Sequence, residues 1–213
     1  MIRLAAALFI VTAAVAAAAV HPLSPRVKQE LQPEFWRQGC PVALSQLRVL
    51  TVPHWGFDGH IHTGQLVVNA DVTAPLARVF HKLYELHFPI RHMKLDDYYG
   101  PKAQQPADTD VSEAFECRQA SASPCGGIAP RGTGHWSQHA YGHAVDLNPV
   151  ENPYVGCGQS RDPRAKPYFD RSHLRKGMVT PAVVAAFRSI GWGWGGSWSG
   201  DTKDYMHFSS SGH

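Results

Sequence analysis

The sequence has few charges and no concentrated run of them. Asp, Glu, Lys and Arg make up 17% of the 213 residues, and the formal net charge is only +3. Because Lys and Arg never cluster, the chain lacks the basic stripe with which proteins bind nucleic acid. Cys-x-x-Cys and Cys-x-x-His spacings are also missing, which argues against a metal site built on thiolates. The 44% hydrophobic content excludes a disordered chain and indicates a globular protein.

Long apolar runs are absent except at the N-terminus. Arg3 is followed by an alanine-rich apolar run from Leu4 to Val20. This pattern predicts a signal peptide over residues 1–20, with cleavage near the run of small residues at 16–19. Retention of the run as a membrane anchor is the alternative. We therefore expect an exported protein, secreted or in the cell envelope, without stable membrane insertion once the signal is cleaved.

Four cysteines agree with export. An even number of cysteines in an exported chain predicts two disulfides rather than a metal site. Four cysteines allow three pairings, and the sequence does not choose among them. The residues concerned are Cys40, Cys117, Cys125 and Cys157.

The first half of the chain predicts alternating strands and a helix. Residues 61–70 are rich in β-branched side chains and favour a strand. Residues 71–75 predict a helix start with a proline in the first turn, and apolar side chains follow at helical spacing as far as Leu86. Pro89 ends this helix, and residues 90–97 alternate as in a second strand.

The second half predicts a long loop and a second helix. Residues 102–134 are rich in Gly, Pro, Ser, Ala and Gln and predict a surface excursion that two cysteines could fix. Thr180 predicts a helix N-cap, and Gly191 predicts the end of that helix. Helices and strands mix without regular alternation, which predicts an α+β fold. We expect one small domain over residues 38–213, preceded by an approach segment over residues 21–37.

Histidine is unusually frequent, with 13 residues, and two short segments combine it with acidic residues. His139, Asp146 and His207 would offer a catalytic zinc ion two imidazoles and a carboxylate, leaving one position open. Gly142 is expected to bend the chain so that the first two converge. Asp204 is the candidate general base. Because residues i and i+3 of a strand face opposite sides, Asp204 is expected in the turn before the strand that carries His207.

Residues 137–146 resemble the Ser-x-His-x-x-Gly-x-Ala-x-Asp signature of the zinc D-alanyl-D-alanine carboxypeptidases and the related L-alanyl-D-glutamate peptidases. The family's second motif, an acidic residue and a His separated by two residues, is matched by Asp204 and His207. All five fixed positions of the first motif match: Ser137, His139, Gly142, Ala144 and Asp146. Further similar stretches lie at 54–59, 88–91, 114–115 and 148–154, so that the resemblance covers residues 38–209.

The resemblance implies a domain of the Hedgehog and DD-peptidase type, with an antiparallel sheet flanked by helices. It implies that His139, Asp146 and His207 bind Zn²⁺. Asp204 would activate water and then protonate the leaving amine. Many carboxypeptidase members carry Glu in place of Asp204, whereas Asp also occurs among the L-alanyl-D-glutamate peptidases, so the bond that is cleaved stays open.

Four further residues are candidates for catalysis or substrate binding. The family uses an arginine on an early strand to stabilise the oxyanion, and Arg91 is the candidate for this role. Arg118 is a second candidate, also for binding a substrate carboxylate. Ser137 could position His139 or the substrate, or could serve as a cap. Tyr154 is a candidate cleft wall.

The remaining histidines and tryptophans have simpler interpretations. His60 and His62 could chelate a metal from one strand face, but polarity at a strand edge is the preferred interpretation. His143 should face away from Asp146. Either core packing or a substrate groove would explain three tryptophans: Trp192, Trp194 and Trp198.

Together these features predict a monomeric zinc peptidase that hydrolyses peptidoglycan stem peptides. Removal of a terminal D-alanine is the leading activity, and cleavage of an L-alanyl-D-glutamate bond or a cross-link is the alternative. Two alternatives come from other classes: a non-catalytic zinc-binding module of the same fold, and a wall-binding or toxin-like disulfide domain without metal.

Overall fold

A computed structural model describes residues 17–123, 125 and 134–213. This part of the chain forms an α+β domain of short helices and antiparallel sheets, as predicted. The helices are α1 Pro25–Leu31, α2 Thr73–Glu85, α3 Leu95–Tyr99 and α4 Pro181–Arg188. The strands are β1 Ala19–Pro22, β2 Leu47–Trp55, β3 Ile61–Asn69, β4 Ala144–Asp146, β5 Tyr154–Val155, β6 Gly193–Trp194, β7 Lys203–Asp204 and β8 His207–Ser209.

The largest sheet has the order β1-β2-β3 and is antiparallel throughout. The hairpin of β2 and β3 pairs Leu47 with Asn69 at one end and Trp55 with Ile61 at the other. Strand β3 confirms the prediction over residues 61–70, whereas β2 was not predicted. Helices α2 and α4 contribute to the main hydrophobic core together with side chains of this sheet.

Two smaller sheets carry the polar motifs. One has the order β4-β8-β6, and its register sets Asp146 opposite His207 and Val145 opposite Phe208. The other pairs β5 with β7 and sets Tyr154 opposite Asp204. The fold therefore joins residues far apart in sequence through short strands.

The two long helices form where they were predicted. In α2 the buried side chains recur at helical spacing and include Leu76, Phe80 and Leu83. In α4 the Thr180 side chain accepts a hydrogen bond from the Val183 amide at 3.3 Å, as an N-cap does. Burial of one apolar face stabilises both helices: α2 packs against β2, and α4 packs against α2 and β6.

Two predictions of local structure were wrong. Residues 90–97 do not form a strand: His92 makes a single bridge, and helix α3 begins at Leu95, where the Asp97 carboxylate accepts a hydrogen bond from the Lys94 amide at 3.1 Å. Acidic residues there favour a helix start over the alternation. Residues 102–134 are not simply a surface excursion, because Phe115 and its neighbours are buried in the core.

The N-terminal predictions meet the structure only in part. Residues 1–16 of the predicted signal lie outside the described residues, and β1 pairs Ala19 with Thr51 of β2. The predicted approach segment, residues 21–37, contains the end of β1 and helix α1. In the part of the chain that the structure describes, no helix combines the length and apolar character needed to cross a bilayer.

Both predicted disulfides form. Cys40 pairs with Cys117, and Cys125 pairs with Cys157. The first joins the segment before β2 to the stretch that leads into the polar site. The second joins the insert of residues 119–134 to the loop after β5. Two disulfides fit a protein that functions outside the cytoplasm.

Gly142 makes the bend predicted between the two halves of the first motif. Its φ is +67°, and an added Cβ would lie 2.6 Å from the backbone nitrogen of Asn69. A side chain at this position would be strained by the left-handed backbone conformation, and its Cβ would clash with the backbone of β3.

We expect the Gly142→Ala substitution to lower the free energy of unfolding by more than Gly59→Ala does. Gly59 also has a positive φ, of +78°, but nothing lies within 4 Å of its added Cβ. The left-handed conformation costs each variant about 1–2 kcal/mol, and the clash at Gly142 adds about 1–3 kcal/mol. Urea unfolding of the two variants measures the difference, and equal losses would contradict the close approach.

Candidate metal centre

Three buried polar side chains converge at one point between β4 and β8. The Nδ1 atom of His207 lies 3.0 Å from Oδ1 of Asp146, and Nε2 of His139 lies 3.1 Å from Nδ1 of His207. Nε2 of His139 is 3.3 Å from the same Asp146 oxygen. The three predicted ligands are thus brought together. Within the described part of the chain, this is the one place where three ligand atoms of His, Cys, Asp or Glu meet.

The spacing of these atoms fits a tetrahedral metal ion. Ligand atoms about 2.0–2.1 Å from a tetrahedral Zn²⁺ lie roughly 3.3 Å from one another. The three measured separations, 3.0, 3.1 and 3.3 Å, are close to that edge length. Two imidazoles and one carboxylate are also donors that a divalent transition metal accepts. The residues present therefore fit a metal with one open position.

Backbone pairing fixes the positions of these ligands. Asp146 and His207 are direct partners in the β4–β8 ladder. On the other side of β4, Glu113 exchanges two backbone hydrogen bonds with Asp146, of 3.1 and 2.9 Å. His139 lies on a 3₁₀ turn over Gln138–Tyr141, which Ser137 caps by accepting a hydrogen bond from the His139 amide at 3.3 Å. The motif folds locally, and the sheet then brings in His207.

The second ring nitrogen of His139 is held by groups that sequence reasoning missed. Its Nδ1 lies 2.5 Å from the Ala114 carbonyl oxygen and 3.2 Å from Oε1 of Glu113. A proton on Nδ1 donated to these oxygens leaves Nε2 free to bind a metal, as in many metal sites. Glu113 lies outside both sequence motifs, so only the backbone bridge that it forms with Asp146 in the folded chain reveals its role.

The electrostatics of the site reflect burial of opposite charges. Burial alone would lower the pKa of His139, but the carboxylates of Asp146 and Glu113 raise it. Burial lowers the pKa of His207, and Asp146 opposes that effect. Although burial acts to raise the pKa of Asp146, the two histidines lower it. The Asp146 carboxylate is therefore held in its charged form, which is the form that binds a metal.

Asp204 lies in the same cleft, and one of its carboxylate oxygens has no hydrogen-bond partner among the described residues. Its Oδ1 is out of contact with solvent and accepts no hydrogen bond from the described residues. Burial raises the pKa of its carboxyl, and the negative charge of Asp146 raises it further. Asp204 ends the short strand β7, and a bend at residues 205–206 separates it from β8. Where a turn was predicted, the structure has a short strand followed by a bend. The bend lets Asp204 and His207 face the same cleft although they are three residues apart.

A cleft of about 490 Å³ opens beside the three ligands. Of the residues predicted to bind substrate, Ser137, Arg118 and Tyr154 all line it. Trp198 lines it as well, whereas Trp192 is buried in the core. The structure thus brings these predicted residues together around the metal ligands.

Arg118 points into this cleft with its charge intact. Its Nε donates a hydrogen bond to Oε2 of Glu116 at 2.7 Å. Burial alone would lower the pKa of Arg118, but Glu116, Glu113 and Asp146 raise it. A permanent cation beside the metal ligands can stabilise negative charge on a bound molecule.

Arg91 is not brought into the cleft. Its Nε donates a hydrogen bond to Asp110 at 2.7 Å and its Nη2 donates one to Glu151 at 2.6 Å. The guanidinium also stacks over the Phe57 ring, 4.0 Å from its centroid. It lines a separate depression of about 330 Å³. These contacts account for Arg91 as part of the scaffold under the loop that follows β4.

The other histidines lie apart from the metal centre. His62 Nε2 is 3.0 Å from Oδ1 of Asp58, and His60 Nδ1 is 3.6 Å from Oδ2 of the same residue. His143 Nε2 lies 2.9 Å from Asp71 on the surface, away from Asp146 as predicted. None of the three belongs to a group of converging ligands among the described residues.

We expect Asp146→Ala to abolish stoichiometric metal binding. Removing the carboxylate takes away one of three ligands and the charge that compensates the ion. Elemental analysis after dialysis against zinc should give about one Zn²⁺ per chain for the unaltered protein and near-background values for the variant. His143→Ala is the matched control and should retain the metal. Full zinc occupancy of Asp146→Ala would refute this metal centre.

Comparison with protein families places the motifs in context. Residues 131–210, which include all three ligands and Asp204, match the family model described as D-alanyl-D-alanine carboxypeptidase. No curated protein and no solved structure matches the chain, so the Hedgehog and DD-peptidase type of fold stays a prediction. The match covers the C-terminal part of the chain and agrees with the resemblance that the two motifs predict.

Proposed function

We propose that the protein is a zinc-dependent peptidase that hydrolyses peptidoglycan stem peptides, with a D-alanyl-D-alanine carboxypeptidase as the leading version. One observation carries the proposal: the converging atoms of His139, Asp146 and His207 share a cleft with the unpartnered carboxylate oxygen of Asp204. A metal-ligand set and an adjacent proton acceptor are the two requirements of hydrolysis by a metal-activated water.

His139, Asp146 and His207 would hold the ion. Bound Zn²⁺ supplies Lewis-acid chemistry, since it polarises a peptide carbonyl and lowers the pKa of a water to about 7. The hydrogen bonds from Nδ1 of His139 to Ala114 and Glu113 orient that ring for ligation. The ligand set contains one carboxylate and no thiolate, which leaves most of the positive charge of the ion available for the reaction.

Asp204 would transfer the proton. Its carboxylate accepts a proton from the attacking water and then donates that proton to the nitrogen of the leaving amine as the peptide bond breaks. Burial, which raises its pKa, makes the carboxylate a better proton acceptor near neutral pH. The absence of a hydrogen bond to Oδ1 among the described residues keeps that oxygen available.

Arg118 is assigned the oxyanion role in this proposal. The resemblance implies such a role for an arginine, and Arg91 is instead engaged by Asp110 and Glu151 outside the cleft. Arg118 lines the cleft and is held by Glu116. Ser137 would support the turn that carries His139, and Tyr154 would contact the substrate.

Cleavage of an L-alanyl-D-glutamate bond is the second candidate activity. The observation that favours it is the acidic residue of the second motif, because Asp204 stands where many carboxypeptidase members carry Glu. Asp is shorter by one methylene. A non-catalytic zinc-binding module, in contrast, would not need a buried carboxylate beside its metal ligands. The proposal further includes export, which the two disulfides support, and action as a monomer.

Incubation with purified muropeptides tests the proposal. Zinc-loaded protein should remove a terminal D-alanine, and mass spectrometry would detect the mass of the released residue. Cleavage between L-alanine and D-glutamate gives a different product mass and would select the second candidate. If no stem peptide changes mass while zinc is bound, the peptidase proposal fails.

We expect Asp204→Asn to lower kcat by roughly 10²–10⁴-fold, because the amide cannot accept and return the proton. Zinc content should stay unchanged, since Asp204 is not among the converging ligands. Asp201→Asn, at an exposed position just before β7, is the control and should keep full activity. Equal turnover by Asp204→Asn and the unaltered protein would exclude Asp204 as the general base.

The two arginines should differ in what their removal changes. Arg118→Gln should lower kcat by roughly 10²–10³-fold, as loss of one oxyanion donor does, with little effect on unfolding. Arg91→Gln leaves Asp110 and Glu151 without their partner and should cost about 3 kcal/mol of stability, with a smaller effect on kcat. Turnover assays and urea unfolding of both variants measure the two effects, and a reversed pattern would return the oxyanion role to Arg91.

A further inference from the structure

A second arginine lines the cleft and has no carboxylate partner. Arg161 is exposed at the rim of the cleft. Among the described residues it takes part in no hydrogen bond or ion pair, whereas Arg118 is bonded to Glu116 at 2.7 Å. The adjacent Asp162 does not neutralise it, because that carboxylate accepts a hydrogen bond from Nε of Arg164 at 2.9 Å. Among the described residues, the cleft therefore contains an arginine whose charge no carboxylate compensates.

The loop that carries Arg161 is fixed on both sides. Gly156 and Gln159 exchange two backbone hydrogen bonds of 3.0 and 2.9 Å, and Cys157 and Gly158 between them have φ angles of +50° and +71°. Two positive φ values are those of a tight type I′ turn, which reverses the chain. The Cys125–Cys157 disulfide holds the tip of this turn. The side chain of Asp162 caps the following 3₁₀ turn, so the backbone at Arg161 lies between two anchors.

Arg161 and Asp204 both line the cleft, and the loop that carries Arg161 follows the strand that pairs with Asp204. Tyr154, at the start of the loop, pairs with Asp204 in the β5–β7 ladder. Burial and Asp204 raise the pKa of Tyr154, and the positive charges of Arg161 and Arg118 oppose them, which agrees with the position of both arginines near that ring. In the proposed function Asp204 protonates the leaving amine, so this side of the cleft faces the leaving residue.

We propose that Arg161 is a specificity-determining residue that binds the free carboxylate of the leaving residue. This inference rests on the proposed function and deepens it, because it specifies a substrate whose last residue ends in a carboxylate next to the scissile bond. Guanidinium groups bind carboxylates through charge-assisted hydrogen bonds. An uncompensated arginine on a fixed loop is suited to this task, whereas Arg118 shares its charge with Glu116.

A comparison of acid and amide substrates tests the proposal. The peptide N-acetyl-L-lysyl-D-alanyl-D-alanine and its C-terminal amide differ only in the carboxylate. Zinc-loaded protein should have a kcat/KM for the acid roughly tenfold or more above that for the amide. In Arg161→Gln this preference should fall to near unity, mainly through a loss on the acid. Arg78→Gln, an exposed arginine of α2 outside the cleft, is the matched control and should keep the preference.

A binding measurement separates failure of this inference from failure of the proposed function. Calorimetry with zinc-loaded Asp204→Asn protein should show tighter binding of the acid than of the amide, and the added Arg161→Gln change should remove the difference. If that pattern appears without turnover by the unaltered protein, the carboxylate site stands and the peptidase proposal fails. Equal or undetectable binding of the two peptides, or a preference unchanged by Arg161→Gln, overturns the assignment.

Discussion

The pairing of β4 with β8 is the constraint on which the site depends. Its register sets Asp146 opposite His207 and Val145 opposite Phe208. Because alternate residues of a strand point to opposite faces, the second pair enters the hydrophobic core while the first faces the cleft. Burial of Val145 and Phe208 thus fixes the positions of two metal ligands. A slip of one residue would exchange the two faces, so the core and the metal centre specify the same register.

The site concentrates buried charge in a way that a stable core alone would avoid. Two imidazoles, the carboxylate of Asp146 and the carboxylate of Asp204 occupy one small region, and Glu113 adds a further buried carboxylate. Burying unpaired charges is costly, and a divalent cation offsets the cost by neutralising the carboxylates. Places where a fold departs from the rules of core packing are often functional sites. Metal binding would therefore explain this combination of side chains better than stability does.

The sequence predicted what depends on local spacing and missed what depends on distant partners. His139 and Asp146 lie within one short motif, and the periodic apolar positions of α2 and α4 reflect contacts along one helix face. The prediction of a strand over residues 90–97 was wrong, because acidic residues in the first turn of α3 favour a helix there despite the alternating pattern. Glu113 could not be assigned, since its role appears only once its backbone pairs with Asp146.

In the proposed peptidase, the paired strands would hold the reacting groups and the loops would determine specificity. The metal ligands lie on paired strands and a capped turn, which hold side chains closely. The cleft walls are formed by loops, and the insert is joined to them by the Cys125–Cys157 disulfide and by a 2.6 Å hydrogen bond between Ser123 and Thr202, just before Asp204. Loops tolerate change while a scaffold positions the chemistry. If the protein is the proposed peptidase, changes in these walls would alter which peptide is bound and leave the metal ligands in place.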